Sequence, residues 1–208
     1  EDGDVVEISV VNDLIPEIGT TASIDGEKEV CATEVFTLTD TVEYKHLVPG
    51  KEYTVKGILM DRATGEPFLQ NGEQITSQVT FVPKAPSGSV EVLFTFDAKL
   101  IKTDTNIVVF ESLYSDSKEL TVHADIEDED QTVTVYVPKI KTTASIDGKR
   151  EITTAGKVTI EDVVSYTNLI PGTEYTIRGT LMNKVTGEVF TVNGETITAE
   201  VKFTPENR

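Results

Sequence analysis

Short segments in which apolar and polar residues alternate recur along the chain. The segments EVFTLTDTVEY, EYTVKGILM, SVEVLFTF and QTVTVYV are rich in Val, Ile, Thr and aromatic residues, and the turn sequences ATGEP, QNGEQ and APSGS lie between such segments. Alternation of this kind is typical of β-strands that turn one face to a core. No long segment has the spacing of an amphipathic helix. The pattern therefore predicts an all-β protein.

The sequence contains an internal repeat. The motif TTASIDG occurs at residues 20–26 and again at residues 142–148. Residues 20–83 align with residues 142–205 without a gap, and about half of the positions are identical. About seven or eight short strands in a repeat of roughly 120 residues indicate a β-sandwich of immunoglobulin-like type. We therefore expect tandem immunoglobulin-like β-sandwich domains with the second copy truncated.

The repeat divides the sequence into three predicted structural segments. Residues 1–15 are interpreted as a terminal strand or linker from a preceding domain, residues 16–138 as the first β-sandwich, and residues 139–208 as the N-terminal part of a second, incomplete one. Equivalents of the last strands of the first repeat would fall after Arg208. An incomplete sandwich exposes a core face and an unpaired edge. We therefore expect strand complementation of residues 139–208 by a missing segment or a neighbouring chain.

Strand parity places three polar side chains on core faces, because successive side chains point to opposite sides of a strand. Thr20 shares its face with Ala22 and Ile24. Asp40 lies on the apolar face of EVFTLTDTVEY, and Gln131 shares the face of the valines in QTVTVYV. Burying a hydroxyl, a carboxylate and an amide without partners is unfavourable. We therefore expect these three side chains to be hydrogen-bonded, with one another as partners.

Each of these polar residues has an ordinary structural explanation when it is taken alone. Thr20 is a β-branched residue suited to a strand, Asp40 can bond to a loop backbone, and Gln131 can tie down a sheet edge. Because an inward-facing polar residue occurs on three separate strands, the pattern favours a shared polar cluster instead.

Strand parity is less informative about the direction of two further polar side chains. Glu111 follows the apolar run IVVF, which predicts a buried strand but does not fix the face of Glu111. His123 alternates with Leu120, Val122 and Ala124, so parity predicts that its side chain lies on the polar side of its strand.

The combination of these motifs resembles a known family. The TTA start, the block DTVEYKHLVPG, the segment VVFE and the final run HADIEDEDQTV are similar to the Thr–Gln ester-bond domains, also described as VaFE repeats, in the stalks of Gram-positive surface adhesins. The resemblance covers the whole first repeat and the available part of the second.

The resemblance implies a specific chemistry for the polar residues. In such domains a Thr on the first strand is joined to a Gln on the last through an ester, formed by the protein itself with release of ammonia. On this chain, Thr20 would be the nucleophile and Gln131 the electrophile. His123 would be the general base, since an alcohol needs a base to take its proton. Asp40 and Glu111 would form a supporting acidic pair. Such self-crosslinking is a single autocatalytic turnover and not enzymatic activity.

The second repeat keeps only part of this set. Thr142 and Asp162 correspond to the nucleophile and to the first acid of the pair. Counterparts of Glu111, His123 and Gln131 would lie beyond the end of the sequence. We therefore expect no ester within the second repeat unless another segment or chain supplies the remaining strands.

Composition restricts the possible functions. The 208 residues include 36 Asp and Glu against 18 Lys and Arg, and the net charge of -18 predicts no nucleic-acid partner. No apolar run is long enough to span a bilayer, so no membrane insertion is expected. The single cysteine, Cys31, forms neither an internal disulfide nor a thiol metal cluster, and we expect no cofactor and no metal. The acidic run DIEDED lacks the glycine and spacing of a calcium loop and is interpreted as a solvated charge run.

The leading interpretation is a structural stalk module of a bacterial adhesin. It would be extracellular, on the cell surface, and anchored to the cell wall through parts of a parent protein that this sequence does not contain. Its partners would be adjacent repeat domains of the same polypeptide. The alternative is a non-covalent, immunoglobulin-like ligand-binding domain in which loops bind the ligand and the buried polar residues are only structural.

Overall fold

The computed structural model describes residues 14–153 and 156–208, and the statements below refer to these ranges. Residues 1–13, most of the predicted terminal strand at 1–15, lie outside them. The chain divides into two compact units, one that ends at Val135 and one that runs from Tyr136 to Arg208. Apart from one short 3-10 helix at Ala98–Leu100, the regular structure of the described residues is β-strand, as the alternation of apolar and polar positions predicts.

Two antiparallel sheets, and a separate two-stranded ribbon made by the sixth and seventh strands, form the first unit. Its strands are β1 (Glu17–Ser23), β2 (Glu29–Cys31), β3 (Val35–Lys45), β4 (Tyr53–Asp61), β5 (Glu66–Pro67), β6 (Leu69–Gln70), β7 (Glu73–Gln74), β8 (Thr76–Phe81), β9 (Gly88–Asp97), β10 (Thr105–Ser115), β11 (Lys118–His123) and β12 (Thr132–Tyr136). The smaller sheet has the order β1-β3-β9. The larger sheet has the order β2-β12-β10-β4-β5, with β11 also paired to β10 and β8 also paired to β4.

Apolar side chains from both sheets fill the space between them. The smaller sheet buries Leu38, Val42, Val92, Phe94 and Phe96, and the larger sheet buries Val55, Leu59, Ile107, Val109, Leu113, Val133 and Val135. These residues occupy alternate positions along their strands, as expected where one face of each sheet packs on the other. The first unit is therefore the β-sandwich that the strand pattern predicts.

One glycine marks a close approach of the two sheets. Gly57 lies in β4, and a Cβ placed on it would be 2.5 Å from the Cζ atom of Phe94 in β9. The Phe94 side chain is 1% exposed, so the packed core leaves its ring little room to move away. The lack of a side chain at Gly57 thus lets an aromatic ring pack directly on β4.

The second unit repeats the start of this architecture. Its strands are β13 (Lys139–Ser145), β14 (Glu161–Thr167), β15 (Tyr175–Thr180), β16 (Thr191–Val192), β17 (Glu195–Thr196) and β18 (Thr198–Phe203), paired as β13 with β14, β15 with β18 and β16 with β17. The register of β13 on β14 copies that of β1 on β3, since Thr20 and Thr142 each face a valine, and Asp40 and Asp162 each face an alanine.

The second unit leaves exposed the faces that the first unit buries. Ile160 is 40% exposed whereas its repeat counterpart Leu38 is fully buried, and Met182 is 52% exposed against 9% for Met60. Several further apolar side chains of the second unit are exposed, among them Val189, Phe190, Ile197 and Val201. The described residues of the second unit therefore present an uncovered apolar face.

We predict that Gly57→Ala destabilises the first unit. The added methyl group overlaps the Phe94 ring, and such overpacking of a core costs about 1 to 3 kcal/mol. Urea unfolding measures the effect. The matched control is Gly19→Ala in β1, because a Cβ at Gly19 meets no atom within 4 Å. Equal stabilities for the two variants would contradict the close approach of the sheets.

Candidate ester cross-link site

Four polar side chains meet in the buried space between the two sheets. Thr20 and Asp40 come from β1 and β3 of the smaller sheet, whereas Glu111 comes from β10 of the larger sheet and Gln131 directly precedes β12. Thr20 is 7% exposed, Glu111 is 1% exposed, and Asp40 and Gln131 are fully buried. We call these four residues the polar cluster. The parity argument for Thr20, Asp40 and Gln131 is confirmed as far as their burial is concerned.

Strand register explains how each sheet presents its two members of the cluster. In the smaller sheet, Ala22 of β1 is opposite Asp40 of β3, so Thr20 lies on the same face as Asp40 and diagonal to it. In the larger sheet, Glu111 is opposite Gly57 of β4, and the main chain of Gln131 accepts a hydrogen bond from the Val109 amide at 3.2 Å. The run NIVVFE, whose sequence leaves the direction of Glu111 open, therefore turns this carboxyl inward.

The Gln131 carboxamide links the two sheets. Its Nε2 donates to Thr20 Oγ1 and to Glu111 Oε2, the latter at 2.6 Å. Thr20 and Gln131 are 111 positions apart in the sequence and belong to different sheets. The fold thus places a hydroxyl against a carboxamide in a region from which water is excluded.

The two carboxyl groups of the cluster, those of Asp40 and Glu111, are buried together, and this arrangement favours one retained proton. Both oxygens of Asp40, Glu111 Oε1 and Gln131 Oε1 have no hydrogen-bond donor among the described residues. Burial, and then the neighbouring Asp40 carboxyl, raise the pKa of Glu111 from 4.5 to about 10, against the hydrogen bonds with Gln131 and Thr20 that lower it. Burial also raises the pKa of Asp40. A proton on Glu111 at neutral pH provides a donor for Asp40, which two ionised carboxylates cannot provide for each other.

His123 lies on the other side of its strand from the one that parity predicts. It is opposite Glu111 in the pairing of β11 with β10, and directly paired residues of antiparallel strands share a face. Its side chain is 25% exposed. The apolar residues Val122 and Ala124 are exposed instead and line a shallow groove on the outer face of the larger sheet. The parity interpretation was therefore wrong, because the apolar face of β11 is the outer one.

The imidazole of His123 is bonded to the turn that precedes Gln131. His123 Nε2 and Asp128 Oδ2 are 2.9 Å apart. No hydrogen bond between His123 and Thr20 is found within the described ranges. Burial acts to raise the pKa of Asp128, but the hydrogen bonds with His123 and with the Asp130 amide outweigh it and lower that pKa. An ionised Asp128 thus orients the ring of His123.

Asp128 is a residue that sequence reasoning missed. It belongs to the acidic turn, residues 125–130, which was interpreted as a solvated charge run. Its Oδ1 accepts from the Asp130 amide at 2.8 Å, and its main-chain oxygen accepts from the Thr132 hydroxyl at 2.6 Å. The signal in the sequence was Asp128 in DED, because an aspartate whose side chain can accept from the amide two residues later is typical of an Asx-turn. The turn is therefore structural, and it leads directly into Gln131.

The second unit does not assemble an equivalent cluster in the described residues. Thr142 and Asp162 lie on β13 and β14 as expected from the repeat, but both are exposed.

Within the ranges that the structure covers, no group of three or more His, Cys, Asp or Glu is arranged to hold a metal ion. In the same ranges, no helix is long and apolar enough to cross a membrane.

Comparison with known proteins identifies the family. The family model described as "T-Q ester bond containing domain" matches residues 16–135 and again residues 138–208. The chain belongs to this family. Each match begins just before a TTA motif, and the first match contains the whole polar cluster. No curated protein matches the chain significantly in sequence.

Two solved structures of a bacterial adhesin resemble the fold of this chain. The chain is similar to a bacterial adhesin from Mobiluncus mulieris containing intramolecular disulfide, isopeptide and ester bond cross-links, in a crystal of space group P1. The TM-score is 0.54 at 16% identity, over 91% of this chain and 93% of the adhesin chain. The same adhesin in space group P21 gives a TM-score of 0.53 at 15% identity, over 93% and 96% of the two chains. At these identities the likeness is one of fold.

We predict that protonation of Glu111 makes the stability of the T-Q ester bond domain fall as pH rises. The variant Thr20→Ala is used so that no covalent link contributes. Between the ordinary pKa of 4.5 and the folded value of about 10, the folded state holds the proton that the unfolded state has lost. The stabilising effect of protonation is complete below the lower value and is lost towards the upper one, with a slope of at most about 1.4 kcal/mol per pH unit.

The measurement is urea unfolding at a series of pH values. The double variant Thr20→Ala, Glu111→Gln should lack this component of the slope, whereas Thr20→Ala with Glu91→Gln, an exposed position on β9, should keep it. A stability that responds to pH equally in both double variants would show that Glu111 is ionised in the folded state.

Proposed function

We propose that this protein is a structural stalk module of a cell-surface adhesin, and that its first unit forms an intramolecular ester between Thr20 and Gln131. The observation that carries the proposal is the direct contact of the Gln131 carboxamide with Thr20 Oγ1 in the buried space between two sheets. Membership of the T-Q ester bond family and the fold shared with a cross-linked bacterial adhesin support it.

The reaction exchanges an amide for an ester. Thr20 Oγ1 attacks Cδ of Gln131 and loses its proton, the bond from Cδ to Nε2 breaks, and the nitrogen gains one proton and leaves as ammonia. His123 accepts that proton as general base, and its ring is held by Asp128. The exposed fraction of this imidazole lets it exchange protons with solvent. Bonds and protons therefore balance without a cofactor or a second reactant.

Glu111 supplies the proton for the departing nitrogen. Its Oε2 accepts from Gln131 Nε2 at 2.6 Å before the attack, and burial beside Asp40 keeps the carboxyl protonated at neutral pH. The carboxyl gives up this proton once the attack on Cδ has made the nitrogen basic. An amide nitrogen is a poor leaving group unless it is protonated as its bond breaks. His123 then returns a proton to Glu111, and the acidic pair ends the reaction in its starting state.

The fold supplies much of the rate acceleration for the step and protects its product. Because both reacting groups are fixed by opposite sheets, the reaction is effectively unimolecular, which lowers the barrier by up to about 7 to 11 kcal/mol. The polar cluster is enclosed by core residues, so water has poor access to the ester once it forms. One turnover leaves a permanent link, and the protein is not an enzyme in the sense of repeated catalysis.

The link joins the first strand of the unit to the last. In the chain-entropy estimate, closing a loop of this length stabilises the folded state by about 4 to 5 kcal/mol. Tension that enters along β1 and leaves along β12 passes through the ester and bypasses most of the hydrogen bonds of the sheets. This gives a stalk mechanical and proteolytic stability in a chain whose single cysteine forms no internal disulfide.

The place of this module in the cell is also part of the proposal. An adhesin stalk is extracellular, at the cell surface, and joined to the cell wall through other parts of its polypeptide, with adjacent repeat domains as its partners. The second unit, whose apolar face is uncovered, is completed by strands from a further segment or from a neighbouring chain. Until such strands are present, Thr142 has no carboxamide to attack.

We predict that the intact protein is lighter than its sequence mass by one ammonia. Thr20→Ala and Gln131→Ala should each restore the full mass, because each removes one of the two reacting groups. Both variants should also unfold at a lower temperature, since the loop closure of about 4 to 5 kcal/mol is lost. Intact-mass spectrometry and calorimetry make these two measurements.

Thr142→Ala is the matched control. It removes the repeat counterpart of the nucleophile from an exposed strand, so the deficit of one ammonia should persist. A full-length mass equal to the sequence mass, with no loss on any variant, would favour the non-covalent ligand-binding domain instead.

A further inference from the structure

A half-buried lysine lies against the acidic turn that leads into Gln131. Lys28 is in the loop between β1 and β2, and its Nζ donates to the main-chain oxygen of Asp130 at 2.6 Å and of Glu129 at 3.4 Å. The turn contains five acidic residues between positions 125 and 130. In the described part of the chain, the ammonium nevertheless bonds to these two carbonyls and to none of the carboxylates. Its role is therefore to hold the main chain of the turn.

The carbonyl that Lys28 binds belongs to the peptide bond between Asp130 and Gln131. The same oxygen accepts the Ala22 amide of β1 at 2.9 Å. On the other side of Gln131, the Thr134 amide donates to the main-chain oxygen of Lys28 at 2.8 Å. Lys28 thus holds the chain both before and after Gln131 and connects it to the strand that carries the nucleophile.

The charge of Lys28 suits this position. Burial lowers its pKa, while the nearby carboxylates of Asp130, Asp128 and Asp40 act to raise it. A cation here also reduces the repulsion among the acidic residues of the turn. The aligned position of the second repeat is Arg150, which has the same charge and also donates hydrogen bonds.

We infer that Lys28 is a positioning residue for the cross-link, which holds the Asp130–Gln131 peptide so that the Gln131 carboxamide lies on Thr20. The inference rests on the proposed ester formation. Lys28 touches none of the reacting atoms, so it acts on the rate through the placement of the electrophile. A displacement of about 1 Å between reacting groups is enough to slow a reaction by about 100-fold.

The test compares rates of ester formation in the full chain. Each variant is made by cell-free synthesis, samples are quenched in acid at intervals, and intact mass gives the fraction that has lost ammonia. Lys28→Met keeps the aliphatic stem without the charge and should react about 10- to 100-fold more slowly than the wild type. Lys28→Arg should restore most of the rate. Lys45→Met, on an exposed position of β3, is the matched control and should react like the wild type.

Stability is measured separately, so that a loss of folding is not mistaken for a loss of positioning. Each substitution is combined with Thr20→Ala, and urea unfolding shows whether the uncross-linked chain is folded under the conditions of the rate measurement. Lys28→Gln, which keeps a shorter neutral donor, replaces Lys28→Met in the same comparison if the latter does not fold.

The inference is overturned if the folded Lys28 variant forms the ester as fast as Lys45→Met, or if Lys28→Arg is as slow as Lys28→Met. In either case ester formation by the wild type would still stand. Absence of ammonia loss in the wild type itself would instead overturn the proposed function, and the inference with it.

Discussion

The structure of the first unit depends on four polar groups buried together between two apolar sheets. The Gln131 carboxamide bonds to Thr20 from one sheet and to Glu111 from its own, and Asp40 completes the set. Buried groups of this kind are costly unless they satisfy each other. Burial and the proximity of two carboxyls keep a proton on Glu111, which is also the condition that the proposed chemistry requires. Burial of the polar cluster thus matters both for folding and for the proposed reaction.

The two units of the chain differ in whether the corresponding polar residues are buried. In the first, β9 extends the sheet of β1 and β3, β10 to β12 extend the sheet of β4, and the polar cluster between the two sheets is buried. In the second, β13 and β14 keep the register of the first two long strands, but Thr142 and Asp162 remain exposed. A threonine and an aspartate in the correct register are therefore not sufficient for burial. The burial of Thr20 and Asp40 comes from strands distant in sequence.

The turn before Gln131 connects the cluster to the surface of the domain. It orients His123 through Asp128 and is itself held by Lys28. Asp128 and Lys28 are therefore both bonded to the main chain that leads into Gln131. The dense acidic composition of this segment is compatible with a defined structure because its amides and carbonyls are bonded within the turn and to β1.

Local sequence determined the strands and the burial of Thr20, Asp40 and Gln131, because alternation within one strand fixes which face a side chain takes. It could not determine the direction of Glu111, which follows a run that is apolar at every position. It gave the wrong face for His123, because Val122 and Ala124 belong to the outer side of a sheet whose composition the strand alone does not reveal. The tertiary structure decided these faces. It also decided the role of Lys28, since contacts across 101 or more positions arise only when the two sheets pack. The contact of Asp128 with His123 spans only 5 positions, but it depends on the inward face that His123 takes.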